Sequence, residues 1–161
     1  MRTSRFGASC VGLFWFCAAA VPLAAQSDPD ACTLLTPAQV SAAVGVSVAD
    51  GTHVTPTNVK TCTWTASGSS KVKFVTLYLQ TTAAYDGGKP MARQMAAASQ
   101  NGAVKPANIC EDGYYFVMGD QAGLLVKKGS SSFKVTVYAT LSVDEKEAME
   151  LTLAKNVLAK L

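Results

Sequence analysis

The feature that most constrains the fold of this chain is its N-terminal apolar run, because it decides which residues belong to the folded domain. Arg2 and Arg5 precede an uncharged run over 6–25, which ends on small residues. A basic start, an apolar middle and a small-residue end are typical of a cleaved secretory leader. A membrane-spanning helix needs about 20 strongly apolar residues, and here glycine, serine and alanine dilute the run. We predict a signal peptide over 1–25 and one mature domain over 26–161.

Removal of the leader leaves a nearly neutral domain. The full chain has 14 basic and 11 acidic residues, and Arg2 and Arg5 leave with the leader, so 12 basic residues remain against 11 acidic ones. Nucleic-acid binding needs a concentrated basic surface, which this composition does not supply. We expect no nucleic-acid partner, no membrane span after cleavage and a periplasmic or extracellular location. The sequence leaves the oligomeric state open.

Short alternating segments predict a mostly antiparallel sheet. Residues of one strand face recur at every second position, and this pattern predicts strands over 60–65, 71–80, 114–118, 124–128 and 133–138. The glycine- and serine-rich segments between them are typical of tight turns. The order of helices and strands favours an α+β fold: an antiparallel sheet of about five strands with helices packed on one side.

Capping signals predict the helices. Thr36 and Gln39 form a capping box, and Gly45 is suited to end the helix that they begin. Pro90 opens an alanine-rich second helix, and the preceding segment 86–89 is interpreted as a turn.

The C-terminal segment repeats the helix-start signal. Ser142 and Glu145 form a second capping box, acidic residues follow early and lysines come late, which suits the helix dipole. An apolar stripe spaced by four residues predicts the buried side of this helix: Met149, Leu153, Val157 and Leu161.

The cysteines predict one disulfide bond. Cys32, Cys62 and Cys110 remain after cleavage, in a compartment where a pair is oxidised. Loop-closure entropy slightly favours a Cys62–Cys110 bond, so entropy alone does not select the pair. Cys32 lies beside a capped helix start and Cys62 on a strand face next to Trp64, so both are better fixed than Cys110 in its loop. We predict a Cys32–Cys62 bond, with Cys110 as a buried thiol or an intermolecular bridge.

Two short motifs surround this cysteine pair. Cys32 opens a Cys-x-Leu-Leu-Thr motif, and Cys62 opens Cys-x-Trp thirty residues later. A chain with these motifs behind an exported leader resembles families of small secreted or lipid-anchored bacterial envelope proteins of unknown function. The resemblance implies an exported α+β sheet domain with this cysteine pair, and it implies no catalytic residue. Segment 110–115 departs from the Gly-Asp-x-Ala-Tyr stretch that such families often carry.

The residues that could carry catalysis do not form a recognisable pattern. Cys110 is followed by Glu111 and Asp112, whereas reactive thiols need electropositive surroundings and a base, for which His53 is the only histidine. Glu111 and Asp112 are neighbours, so on an extended backbone they point apart, while glycoside hydrolysis needs two converging carboxylates. One histidine and three cysteines without Cys-x-x-Cys are a poor zinc ligand set. We expect no catalytic residue, no cofactor and no metal.

One predicted strand offers a candidate binding face. Tyr114, Phe116 and Met118 share a face by strand alternation, although core packing is the commoner fate of such residues. If uncovered, the face would bind a partner envelope protein or a small apolar ligand. We therefore predict an exported binding or accessory domain. Two alternatives remain: a hydrolase-like secreted enzyme that uses carboxylates or Cys110, and a small secreted inhibitor.

Overall fold

A computed structural model describes residues 29–68 and 71–161 of the chain. The predicted signal peptide and its cleavage point lie outside these residues. Within them, no helix combines the length and apolarity that a bilayer crossing requires. The helices are α1 (Ala31–Leu34), α2 (Pro37–Val44), α3 (Thr82–Ala98) and α4 (Val143–Leu158). The strands are β1 (Thr52–His53), β2 (Thr61–Thr65), β3 (Val72–Thr81), β4 (Ala103–Pro106), β5 (Asp112–Met118), β6 (Gln121–Lys128) and β7 (Ser131–Ala139).

The strands form one antiparallel sheet of seven strands in the order β1-β2-β3-β7-β6-β5-β4. Two meanders, β1–β2–β3 and β4–β5–β6–β7, are joined where β3 pairs with β7. This confirms the antiparallel α+β class, but the sheet has two strands more than expected. β1 and β4 span only two and four residues, which is too short for a clear alternation. β4 also contains Pro106, which an edge strand tolerates because it needs fewer backbone donors.

The main core lies on the sheet face covered by α1, α2 and α4. Alternate residues of the central strands point to this face and are buried there: Val75, Leu77, Leu79, Leu124, Val126, Phe133, Val135 and Val137. From α4, Leu153, Ala154 and Val157 pack against them and are fully buried. Burial of each large apolar side chain contributes about 1.5–3 kcal/mol, so this face supplies most of the stabilisation.

The helix α3 lies on the opposite face, so the helices are divided between both faces and not packed on one side as expected. Its Tyr85 and Ala92 form a second small core with Tyr114. The helix begins at Thr82, where the Thr81 hydroxyl accepts a hydrogen bond from the Ala84 N–H at 3.1 Å. The predicted turn over 86–89 is therefore wrong, because this segment lies inside α3.

The N-terminal elements are attached to the sheet by the disulfide bond. Cys32 of α1 is bonded to Cys62 of β2 with their Cα atoms 5.0 Å apart, which confirms the predicted pair. Gly51 lies against this bond: a Cβ added there would be 2.6 Å from the Cys62 Sγ, so only glycine fits. Cys110 is exposed and outside any intramolecular bond, so the buried-thiol expectation is wrong.

The predicted helix boundaries at both ends of the domain are confirmed. Thr36 and Gln39 form the capping box of α2, and Gly45 ends this helix in the left-handed conformation at φ 72°. Ser142 and Glu145 form the capping box of α4. Each boundary depends on side chains within one helical turn, which is why the sequence predicts it well.

Candidate functional site

The sheet face that carries α3 is only partly covered. The helix α3 packs against β3, β7, β6, β5 and β4. Among the described residues no helix covers the part of this face formed by β1 and β2. We call the uncovered part the open face. Its residues alternate with the core residues of β2, β3 and β7: Thr61, Thr63, Thr65, Phe74, Thr76, Tyr78 and Tyr138.

Three aromatic side chains stand on the open face. Phe74 and Tyr138 are cross-strand partners whose rings stack with centroids 4.2 Å apart. Tyr78 is 44% exposed and Tyr138 is 36% exposed. Threonines surround them and add both hydroxyl and methyl groups. Aromatic side chains of this kind are enriched at protein interfaces.

A groove adjoins the open face where α3 leaves the sheet. It has a volume of about 180 Å³, and we call it the α3 groove. Two methionines of α3 form its rim, with Met91 61% exposed and Met95 47% exposed. The other lining residues are Gln80, Ala84, Gly88, Ala92, Tyr114, Phe116, Leu125 and Lys134.

Two nitrogen donors lie on the sheet side of this groove. The Lys134 side chain is half-buried, and it makes no hydrogen bond or ion pair with a described residue. Its stem lies across Gly123, where an added Cβ would be 2.7 Å from Lys134 Cε. The Gln80 Nε2 is buried and lacks a hydrogen-bond partner in the described structure. Lys134 pairs with Tyr78 across β3 and β7, so the groove and the open face are continuous.

The binding face predicted from the sequence forms part of this region. Tyr114 is only 2% exposed and lies beneath α3, with its ring centroid 5.3 Å from that of Tyr85. Phe116 lines the α3 groove, and Met118 is half-buried at the end of β5. Of the three, Phe116 is therefore placed to contact a ligand in the groove, and the binding role of this face stays a prediction.

A charged and aromatic cluster fastens α3 to the sheet. Lys89 donates to both carboxylate oxygens of Asp112, at 2.8 and 2.7 Å, and its Nζ lies 5.4 Å from the Tyr114 ring centroid. The hydrogen bond from Lys89 lowers the pKa of Asp112. Burial, with the nearby Asp112 charge, raises the pKa of both Tyr85 and Tyr114. Both phenols therefore stay protonated, and the cluster positions α3 without offering a nucleophile.

The structure separates the residues considered for cysteine or carboxylate catalysis. His53 lies on β1 and Cys110 lies between β4 and β5, so the sheet order places them at opposite edges. Glu111 accepts hydrogen bonds from the Gly129 N–H at 3.0 Å, whereas Asp112 is held by Lys89 on the α3 side. The two carboxylates do not converge on a common cleft.

One group of described residues has metal-ligand atoms close together. Asp30, Cys32 and His53 bring such atoms within 4.8 Å of one another. The Cys32 sulfur is already bonded to Cys62, so only two donors remain, fewer than a zinc site needs. His53 Nε2 lies 2.8 Å from Asp30 Oδ1, and this contact, with the Cys32 N–H, lowers the pKa of Asp30. The group acts as the cap of α1.

Two charged residues of α4 are fully buried, which the sequence reasoning missed. Lys146 and Glu150 are both 0% exposed; the Lys146 amine donates to the Asp120 carbonyl. The Val137 N–H donates to Glu150 Oε1 at 3.0 Å. Burial raises the pKa of Glu150 to about 8, so this carboxyl group is mostly protonated at neutral pH.

Glu150 lies where the pairing between β6 and β7 ends. Pairing of β6 with β7 ends at Leu124 and Val135, beyond which Val137 has no β6 partner. Glu150 fills that gap. A sequence signal existed, since position 150 falls three and four residues before the buried Leu153 and Ala154, and position 146 falls four residues before 150. The buried stripe of α4 thus runs through these two positions and not through Met149, which is half-buried.

Comparison with known proteins adds no relative to this description. No protein-family model, curated protein or solved structure matches the chain. The resemblance to small bacterial envelope proteins stays a prediction, and the function is argued from the geometry alone.

Proposed function

We propose that this protein is an exported, non-catalytic binding or accessory domain that docks a partner protein of the envelope through the open face. The observation that carries the proposal is the set of aromatic side chains on one face of the sheet, where Phe74 stacks on Tyr138 and the exposed Tyr78 lies four residues further along β3. Aromatic side chains are enriched at protein interfaces, and exposed apolar patches with polar surroundings mark sites of interaction.

The chemistry of the open face suits a protein partner. Its residues are threonines and aromatics, with Lys134 next to Tyr78 at the edge towards the α3 groove; charged residues are depleted at the centre of protein interfaces and common at their rim. Tyrosine supplies a large contact area with few rotatable bonds, so little side-chain entropy is lost on binding. The stacked pair is already held in one arrangement, which lowers that loss further.

Export is supported by the disulfide bond. The Cys32–Cys62 bond joins α1 to β2, and bonds of this kind persist in oxidising compartments such as the periplasm or the extracellular space. A partner in the same compartment is therefore the natural occupant of the open face.

Capture of a small apolar ligand is a second candidate function, which the α3 groove favours. Its rim carries the exposed Met91 and Met95, and flexible, polarisable methionines adapt to varied apolar ligands. The described residues offer no comparable observation for the hydrolase-like or the inhibitor alternative.

The test is site-specific photocrosslinking in the exporting host. A benzoylphenylalanine placed at Tyr78 should give a discrete crosslinked protein adduct, because this position is exposed on the open face. The matched control is the same residue at Lys155, which is exposed on α4 away from that face. Tyr138→Ser in the Tyr78-labelled protein should weaken the adduct. Equal adducts from both labelled positions, or none from Tyr78, would count against docking.

A further inference from the structure

We propose that Asp30, Cys32 and His53 bind a zinc-like divalent metal ion whenever the disulfide bond of Cys32 is open. The juxtaposition that carries this inference is a carboxylate, a sulfur and an imidazole whose ligand atoms all lie within 4.8 Å of one another. In the disulfide-bonded protein the sulfur does not ligate a metal, because only a thiolate does so. The site is therefore linked to the redox state of the bond, and it does not depend on docking at the open face.

The three residue types suit zinc. Cysteine thiolate, histidine nitrogen and aspartate oxygen are its usual protein ligands, and three of them leave the fourth tetrahedral position open. From the metal–ligand bond lengths, neighbouring ligand atoms in such a site are about 3.3–3.8 Å apart. His53 Nε2 and Asp30 Oδ1 are 2.8 Å apart, so movements on the order of 1 Å admit the ion. The side chains of His53 and Asp30 are 25% and 34% exposed, which leaves a path from solvent.

Contacts other than the disulfide hold the three residues in place. The Ala31 N–H donates to the Val59 carbonyl at 2.8 Å, and Ala31 and Leu35 are buried in the core. His53 lies directly opposite Cys62 in the pairing of β1 with β2, and residues opposite each other share one sheet face. This is the face that carries α1. Breaking the bond therefore frees the Cys32 thiol without removing its neighbours.

Oxidation and metal binding compete for the Cys32 sulfur. A small-molecule or protein disulfide oxidant converts the metal-bound Cys32 thiolate and the Cys62 thiol into the Cys32–Cys62 bond. The two cysteine sulfurs lose two electrons. The two sulfurs of the oxidant accept them and leave as one thiolate and one thiol, and that thiol carries the proton from Cys62. The metal ion loses its sulfur ligand and departs. Metal binding thus holds α1 on the sheet in a chain whose bond has not yet formed.

The experiment uses the mature protein with Cys110→Ser in every variant, so that Cys110 does not supply a thiol. Cys62→Ala opens the site without a reductant. The probe is Co²⁺, and Zn²⁺ is the competitor. Cys62→Ala should bind one Co²⁺ with a thiolate-to-cobalt charge-transfer band, and Zn²⁺ should abolish the band. The disulfide-bonded protein should show no such band until a phosphine reduces it.

The matched control is Cys32→Ala, which lacks the same disulfide but keeps the other thiol. Cys62 is fully buried and lies outside the group of close ligand atoms, so its thiol does not replace that of Cys32. Loss of a group outside the ligand set lowers metal affinity about 10–100-fold, so loss of a ligand should lower it at least about 100-fold. We expect this loss in Cys32→Ala, and also when His53→Gln is added to Cys62→Ala.

Two carboxylate variants in the Cys62→Ala background complete the set. Asp30→Asn should weaken Co²⁺ binding in the same way, although asparagine still caps α1. Asp144→Asn should leave the affinity unchanged, because Asp144 is exposed on α4.

Equal Co²⁺ affinity in Cys62→Ala and Cys32→Ala, unchanged affinity after His53→Gln, or no charge-transfer band in Cys62→Ala would each overturn the proposal. Trp64 fluorescence reports folding, and Zn²⁺ should raise the urea midpoint of Cys62→Ala but not that of Cys32→Ala. A Cys62→Ala protein that stays unfolded at saturating Zn²⁺ would overturn the proposal as well. Docking at the open face is judged by the Tyr78 adduct, so the two proposals fail independently.

Discussion

Replacement of Glu150 by glutamine should change how the stability of this domain depends on pH. Glu150 is fully buried and caps the Val137 N–H where β6 and β7 separate. Glutamine keeps the side-chain length and the accepting carbonyl oxygen, but it cannot lose a proton. The substitution therefore isolates the cost of ionising a carboxyl group inside the core.

The expected magnitude follows from the pKa of Glu150, which burial raises from 4.5 to about 8. The folded protein holds this proton more tightly than the unfolded chain, so the stabilisation is complete below the unfolded pKa and is lost as the pH rises towards 8. One pKa unit corresponds to about 1.36 kcal/mol. The full shift is worth about 5 kcal/mol, and about 4 kcal/mol of it lies between pH 5 and pH 9. Water entering the β6–β7 gap lowers this value, so we expect about 2–4 kcal/mol.

The assay is urea unfolding from pH 5 to pH 9. Trp64 is fully buried and is the only tryptophan of the predicted mature domain, so its fluorescence reports unfolding. The wild type should lose stability across this range relative to Glu150→Gln, and the two proteins should be of similar stability near pH 5. Asp144→Asn is the control, because Asp144 is exposed on the same helix; its curve should run parallel to that of the wild type. A stability difference between wild type and Glu150→Gln that stays constant across the pH range would refute the reasoning.

Further predictions concern two glycines and the cysteines, and all except the peptide mapping use the same unfolding assay. Gly87→Ala should stabilise the domain by about 0.5–1 kcal/mol, because an added Cβ meets nothing within 4 Å inside α3, whereas Gly51→Ala should destabilise it. Replacing Cys32 and Cys62 by serine should cost about 3.5 kcal/mol by loop-closure entropy, and peptide mapping without reductant should find Cys110 outside every intramolecular disulfide. A less stable Gly87→Ala protein, or a mapped Cys110 intramolecular bond, would contradict these expectations.

The features predicted correctly from the sequence depend on local signals. The capping boxes at Thr36 and Ser142 involve side chains within one turn of the backbone that they cap. The longer strands alternate because one face of each is buried. The Cys32–Cys62 bond is predictable because each cysteine lies next to a clear local signal, and the structure contains this bond.

The start of α3 could not be predicted locally, because two consecutive glycines disfavour a helix. Burial of Tyr85 against Tyr114 and the Lys89–Asp112 ion pair favour the longer helix. These contacts join residues more than twenty positions apart. A short sequence pattern around α3 therefore does not contain both partners of either contact.

The candidate site depends on the extent of α3 across the sheet. Strand alternation places Tyr78 on the sheet face opposite Leu77. Whether that face is covered depends on how far α3 extends across the sheet. The same holds for Lys134, whose lack of a paired anion is visible only once the partners of its neighbours are known. The sequence could therefore predict a binding face of this kind but not which of its residues reach solvent.

The pairing of β3 with β7 has a consequence for how the chain folds. The Ser132 side chain reaches the Gln80 carbonyl across a sequence separation of 52 residues, so the centre of the sheet closes only after a long loop has been brought together. Contacts of such high sequence separation slow folding. A chain emerging from a ribosome or a translocation channel must expose nearly all of β7 before its central pair can form. Until then β3 lacks its longest partner, and the two meanders stay unjoined.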